Sequence, residues 1–133
     1  MSHENAEIVM RGYRHYIATG DFLVEDIGDG YVWDMSTFAG WPEKQVYEGL
    51  EGAREFMRDW LEQWDDWSFD VLDVASVEDR VLTVVRQRGR AKGSGVEAEM
   101  LFAQLWTLRD GKIVRVSMYA SPEEGRRALA RDG

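Results

Sequence analysis

Three side chains have the type and setting for chemistry on a small molecule: Asp34, Tyr13 and Gln104. Asp34 stands in the run Tyr31-Val32-Trp33-Asp34-Met35, in a chain whose nearby segments supply Phe38, Trp41, Tyr47, Trp60 and Trp64. A carboxylate facing such a pocket is raised by desolvation, as a proton-shuttling base requires. The ordinary alternative is an aspartate at a strand end that caps backbone N–H groups or pairs with an arginine. Tyr13 lies on the apolar side of a helical pattern, and a buried phenol needs a partner, whether a ligand, Asp34 or a backbone carbonyl. Gln104 is an amide in an otherwise apolar row. It suits donation to a substrate carbonyl, and equally a bridge to Tyr13 or a water.

Composition removes other chemistries. With no cysteine and only two histidines, His3 and His15, the chain lacks the parts for a catalytic zinc or a Ser-His-Asp triad. His15 falls two positions off the apolar helix face and is not nominated. No metal and no organic cofactor are expected. Twenty-five Asp+Glu against sixteen Lys+Arg give a net charge of −9, which repels phosphate backbones, so nucleic acid is not an expected partner. No apolar run approaches the roughly 20 residues of a membrane span, and the polar, acidic start is unlike a signal peptide. The expectation is a cytoplasmic protein with no membrane partner. At 133 residues and 44% hydrophobic composition it is rich enough for one core. One domain over 1–133 is expected, with 1–4 as a flexible tail.

The elements that must position these groups follow from periodicity. Ala6, Val9, Met10, Tyr13, Tyr16 and Ile17 mark a helix over about 4–19, ended by Gly20-Asp21. A short turn or helix spans Phe22 to Ile27, then Tyr31–Met35 reads as a strand, and 36–46 as a loop. Ala53, Phe56, Met57, Trp60, Leu61 and Trp64 define a second helix over about 51–66. From Trp67 the period becomes two, and Ser68–Val77, Arg80–Arg90, Val96–Leu108 and Lys112–Ala120 read as four antiparallel strands. Ser121-Pro122-Glu123-Glu124 begins a C-terminal helix with a cap, a first-turn proline and first-turn acids. Segregated helices on an antiparallel sheet make the class α+β, with the helices on one sheet face.

Hairpin registers decide which side chains share a face. A two-residue turn at Gly93-Ser94 sets Arg90 opposite Glu97 and Arg88 opposite Glu99, and the paired charges favour this register. Val81, Thr83, Val85 and Gln87 then share a face with Met100, Phe102, Gln104 and Trp106. In the next hairpin a two-residue turn at Asp110-Gly111 brings Arg115 and Tyr119 beside Trp106 and Phe102. A three-residue loop with Gly111 in a bulge brings Val114, Val116 and Met118 there instead, and is preferred because it joins apolar to apolar. The opposite face keeps Leu82, Val84, Leu101, Ala103 and Leu105 without cover. That suggests a homodimer through the outer sheet face.

The chain resembles the SnoaL-like branch of the nuclear-transport-factor-two-like superfamily, which includes ketosteroid isomerase, polyketide cyclases, scytalone dehydratase and limonene epoxide hydrolase. The resemblance rests on Tyr-Arg-His-Tyr-Ile-Ala-Thr-Gly-Asp (13–21), Val-Trp-Asp-Met (32–35), Tyr-Glu-Gly-Leu-Glu-Gly (47–52) and Arg-Asp-Gly-Lys-Ile-Val-Arg (109–115). It implies a conical α+β barrel, a curved antiparallel sheet wrapped around N-terminal helices with one internal pocket. It also implies roles. Tyr13 stands eight residues before Asp21, as the oxyanion-donating tyrosine of ketosteroid isomerase does before its Gly-Asp turn. Val32-Trp33-Asp34 resembles the segment carrying that enzyme's aspartate base. Gln104 falls within one residue of its second donor, there an aspartate. Met118 stands where the last-strand aspartate of the epoxide hydrolase and the cyclases would be, which speaks against those two chemistries.

Together these readings give an expected function. It is a cofactor-independent enzyme acting on an apolar carbonyl compound by proton abstraction and enolate stabilisation, of isomerase, cyclase or dehydratase type. Asp34 is the base, with Tyr13 and Gln104 the oxygen donors. Tyr47, Phe56, Trp60, Trp64, Met100, Phe102, Trp106, Val116 and Met118 are expected to bind the substrate, although each is by default also core. The alternative is a non-catalytic ligand-binding or dimer-scaffold module using the same pocket.

Overall fold

The computed structural model describes residues 2–131. Helix α1 (Ser2–Thr19) leads through a 3-10 turn (Val24–Asp26) into β1 (Ile27–Asp34), then β2 (Val46–Glu48), α2 (Gly49–Leu61), β3 (Trp64–Val77), β4 (Arg80–Ala91), β5 (Glu97–Arg109), β6 (Lys112–Tyr119) and α3 (Pro122–Arg131). The strands form one curved, open sheet in the order β2-β1-β6-β5-β4-β3. The fold is α+β, as expected. All neighbouring strands are antiparallel except β1 and β6, which run parallel, so the sheet is mixed. Within the expected tail, Ser2 to Glu4 already belong to α1, and Met1 lies outside the described residues.

The β4–β5 hairpin has the charge-paired register, with Arg90 opposite Glu97 and Arg88 opposite Glu99. The last hairpin mixes both expectations. Its turn is the two-residue one, with Asp110 at φ 53° and Gly111 at φ 77°, the left-handed pair that a tight hairpin needs. Arg109 therefore pairs with Lys112, and Leu108 with Ile113. An irregularity then takes up one extra residue on β6, so that Thr107 pairs with Arg115, Trp106 with Val116 and Gln104 with Met118. Val116 and Met118 take the preferred inner face and Arg115 stays off it, but a bulge in the strand sets this rather than a longer loop, and Ile113 rather than Val114 turns inward.

Two apolar layers result. The inner one joins Val9 of α1 and Phe56 and Trp60 of α2 to Tyr31, Trp33, Val81, Val85, Phe102, Trp106 and Met118 of the sheet. The outer one joins Leu82, Ala103 and Leu105 to Ala128 and Leu129 of α3. This corrects the expectation of an uncovered outer face, because the C-terminal helix folds back over it. A Cβ built on Gly125 would lie 2.5 Å from Ala103 Cβ, so the missing side chain is what lets α3 approach. Arg80 donates to the carbonyls of Ala128 and Leu129 at 3.2 and 2.8 Å, tying the end of α3 to β4. On the outer side of β5 only Leu101, 44% exposed, keeps the ground for the expected homodimer.

The second helix stops at Leu61, short of the expected 66. Trp64 continues the helical spacing but pairs with Ala91 as the first residue of β3, and its ring packs where a side chain on Gly89 would stand. Tertiary pairing with a long neighbouring strand outweighs the last turn of a helical pattern. No helix among the described residues is long and apolar enough to cross a membrane.

Candidate functional site

A cavity of about 90 Å³ lies between the helices and the inner face of the sheet. α1 contributes Val9, Tyr13 and Tyr16, and the segment after it contributes Phe22, Leu23, Asp26 and Ile27. Tyr31 and Trp33 come from β1, Phe56, Met57 and Trp60 from α2, and Trp67 and Phe69 from β3. Val85, Phe102, Gln104, Trp106, Ile113 and Met118 complete it from β4, β5 and β6. Its aromatic rings brace one another: Trp33 stacks on Phe56 with centroids 4.5 Å apart, and Trp106 meets both Tyr13 and Trp33 edge-on.

One wall of this apolar space is polar, and its protons run in a fixed order. Trp106 Nε1–H donates to Thr83 Oγ1 at 3.0 Å. The Thr83 and Tyr13 hydroxyls are 2.7 Å apart. Tyr13 donates to Gln104 Oε1, and Gln104 Nε2 donates to Met118 Sδ at 3.2 Å. An indole N–H only donates and an amide oxygen only accepts, so Thr83 must donate to Tyr13. The Tyr13 proton is therefore committed within the protein. Burial raises its phenol well above the ordinary value, against the lowering effect of Thr83 and Trp106. The expected meeting of Tyr13 and Gln104 is present, but they bond to each other rather than standing free side by side.

Asp34 is not with them. Trp33 faces the cavity, so the next residue along the strand faces outward. The Asp34 carboxylate bonds the Arg115 guanidinium and accepts the Ser36 backbone N–H at 2.8 Å. Burial acts to raise this carboxyl, but the hydrogen bonds from Ser36 and the charge and hydrogen bond of Arg115 outweigh it and hold it below the ordinary range. The geometry is the aspartate–arginine pair, not a desolvated base aimed at a substrate.

The expected binding residues divide. Phe56, Trp60, Phe102, Trp106 and Met118 line the cavity, together with Tyr13 and Gln104. Tyr47, Trp64, Met100 and Val116 are not among the lining residues. Tyr47 is wholly buried beneath α2 with its hydroxyl on Asp59 at 2.9 Å, Trp64 covers Gly89, Met100 packs against the core from its edge, and Val116 is buried on β6. The lining also includes residues that went unnominated, chiefly Tyr31, Trp33, Trp67, Phe69 and Asp26. Alternation on β1 was a usable signal, because a strand that turns Trp33 inward must bring Tyr31 with it and send Asp34 away.

Asp26 is the carboxylate that does reach this space. It is 7% exposed, lines the cavity, and receives Arg11 Nε and Nη2 at 2.9 and 2.8 Å in a two-point pair. Among the described residues no three His, Asp or Glu side chains gather where a metal ion could sit.

An open curved sheet enclosing an aromatic pocket under two helices is the architecture of a known group, and the sequence agrees. Residues 10–116 match the SnoaL-like domain, and the chain belongs to that family. No curated protein matches the sequence significantly. Among solved structures, a candidate SnoaL-like polyketide cyclase from Jannaschia sp. CCS1 is 21% identical with a TM-score of 0.72, the match covering 98% of this chain and 94% of that one. An NTF2-like protein from Burkholderia thailandensis E264 is 22% identical with a TM-score of 0.74, covering 96% and 97%. TerC, co-crystallised with polyporic acid, is 18% identical with a TM-score of 0.70, covering 96% and 98%. At these identities the likeness speaks for the fold.

Proposed function

We propose that this domain binds a small apolar ring compound inside its cavity and does so as a receptor rather than through Asp34 chemistry. One observation carries the reading: the space is walled mainly by aromatic rings, its polar parts being the bonded strip and the Asp26 carboxylate already paired with Arg11, while the acid nominated as a base lies outside it in an ion pair. Such a lining favours a flat, apolar ligand with little charge. The cavity's volume, about 90 Å³, limits its size. One buried water needs roughly 10–15 Å³ on the same scale, so the enclosed part suits a one- or two-ring molecule. The co-crystallisation of TerC with polyporic acid supports a small-molecule ligand for this fold.

Isothermal titration with tetralin, a bicyclic hydrocarbon, tests the reading. Binding of one molecule per chain is expected, lost in Val85→Phe, which adds bulk at a cavity wall. Failure of the natural chain to bind one- and two-ring compounds overturns it.

A second reading has its own observation, the Asp26 carboxylate at the cavity wall. If Arg11 releases it to a ligand, Asp26 is placed to remove a proton beside a carbonyl. Mass-spectrometric deuterium uptake into 1-tetralone, faster than in buffer and abolished in Asp26→Asn, favours that enzyme. Uptake no faster than in buffer leaves the receptor.

A further inference from the structure

We infer that Tyr31 and Trp33 are the ligand-reading donors of this cavity, and that its ligand carries an acceptor oxygen such as a ring ketone. The inference rests on the cavity-binding reading and goes beyond it by assigning the ligand's polar chemistry.

Both residues lie on the inner face of β1, two apart, and both line the cavity. Tyr31 is 2% exposed and Trp33 3%, yet the Tyr31 hydroxyl and the Trp33 Nε1–H have no hydrogen-bond partner among the described residues. Buried polar groups are nearly always satisfied, and leaving one unpaired costs about 1–3 kcal/mol. The contrast within the same cavity is informative. Trp60 and Trp67 both place their indole N–H on Gln87, and Trp106 places its own on Thr83. The fold thus supplies acceptors to three cavity indoles and none to Trp33.

The two unpaired groups decide what a ligand must bring. An indole N–H donates only, and a phenol is the better donor of its two roles. The partner that either donor calls for is an oxygen with lone pairs and no need of a proton, on a skeleton apolar enough for the surrounding rings. A ketone or quinone oxygen meets that demand, whereas a hydrocarbon leaves both donors unpaired. The Tyr13 hydroxyl, already donating to Gln104, is not available for the task.

The experiment compares 1-tetralone with tetralin, which share a bicyclic skeleton and differ by the carbonyl, by calorimetry on the natural chain and on Tyr31→Phe. The natural chain is expected to bind the ketone about tenfold more tightly than the hydrocarbon. Tyr31→Phe should narrow the ketone-over-hydrocarbon preference to about twofold. The free variant should unfold at the same temperature or higher, because it loses an unpaired buried hydroxyl rather than a bonded one. Tetralin binding with no preference for the ketone, or a preference unchanged in Tyr31→Phe, overturns the donor assignment alone. Absence of tetralin binding overturns the cavity-binding reading and this inference with it.

Discussion

Arg115 on β6 holds the Asp34 carboxylate of β1 on the outer side of the sheet, one residue along from Trp33, whose indole lines the cavity on the inner side. Adjacent residues of one strand thus serve two compartments. The acid is spent on joining the parallel pair β1 and β6, and the ring on the ligand space.

Asp34→Asn should accordingly leave ligand affinity unchanged and weaken the fold. Arg115 is 45% exposed, so solvent screens the pair and the loss at neutral pH is about 1 kcal/mol. The folded-state value of Asp34 is depressed below its ordinary 3.8. Its contribution is therefore complete above that value and disappears as pH falls through the depressed one. Urea denaturation at several pH values checks this: the gap between natural and variant chains should close on acidification below 3.8. A gap that persists in acid would assign the loss to something other than the charge.

Tyr13→Phe cuts the polar strip in its middle. Thr83 loses an acceptor and the buried Gln104 amide oxygen its donor. Thermal unfolding should show a loss of about 1–3 kcal/mol, the cost of stranding a buried polar group. An equal loss in Gln104→Leu, with no further loss in the double variant, would mark the two as one unit.

Most of the architecture was readable because period-two alternation is strong in the long strands. The salt-bridged register at Arg88 and Glu99 was fixed by charge complementarity across the hairpin. Three things were not readable in the same way. Trp64 fits a helix as well as a strand by spacing, and only the distant partner Ala91 decides between them. The extra residue on β6 leaves no local mark, since bulge and longer loop give the same faces from Arg115 onward. The cover over Leu82 and Leu105 comes from α3, whose small residues Gly125 and Ala128 look unremarkable until the helix is folded back. For the site, Tyr13 and Gln104 could be found as polar groups in apolar rows. Asp34 was misplaced because its aromatic neighbours in sequence outweighed the alternation of its own strand.

Gln87 accepts two indole N–H groups on one oxygen, from Trp60 of α2 and Trp67 of β3, each at 2.8 Å. It is 1% exposed, so no water replaces it easily. Gln87→Met keeps the volume and strands both indoles but also removes the buried, unpaired Gln87 Nε2, for an expected net loss of about 1–2 kcal/mol in denaturant melts. In Trp67→Phe one of those donors is already gone, and the same substitution should then cost about 1 kcal/mol less. Additive losses would show that the Trp67 bond contributes nothing.

Gly125 gives the clearest reversal of a general rule. In an exposed helix, Gly→Ala gains about 1 kcal/mol of helix propensity. Here the new Cβ would stand 2.5 Å from Ala103 Cβ, which is fixed to the paired strand β5 and cannot retreat, and 3.0 Å from Leu82 Cδ1, which can turn away. Overpacking of this kind costs about 1–3 kcal/mol, so Gly125→Ala should destabilise the chain despite the propensity gain. Ala103→Gly removes the opposing atom. In that background Gly125→Ala should become stabilising, by about the propensity term. A rise in melting temperature for Gly125→Ala alone would mean that α3 does not sit on the outer face.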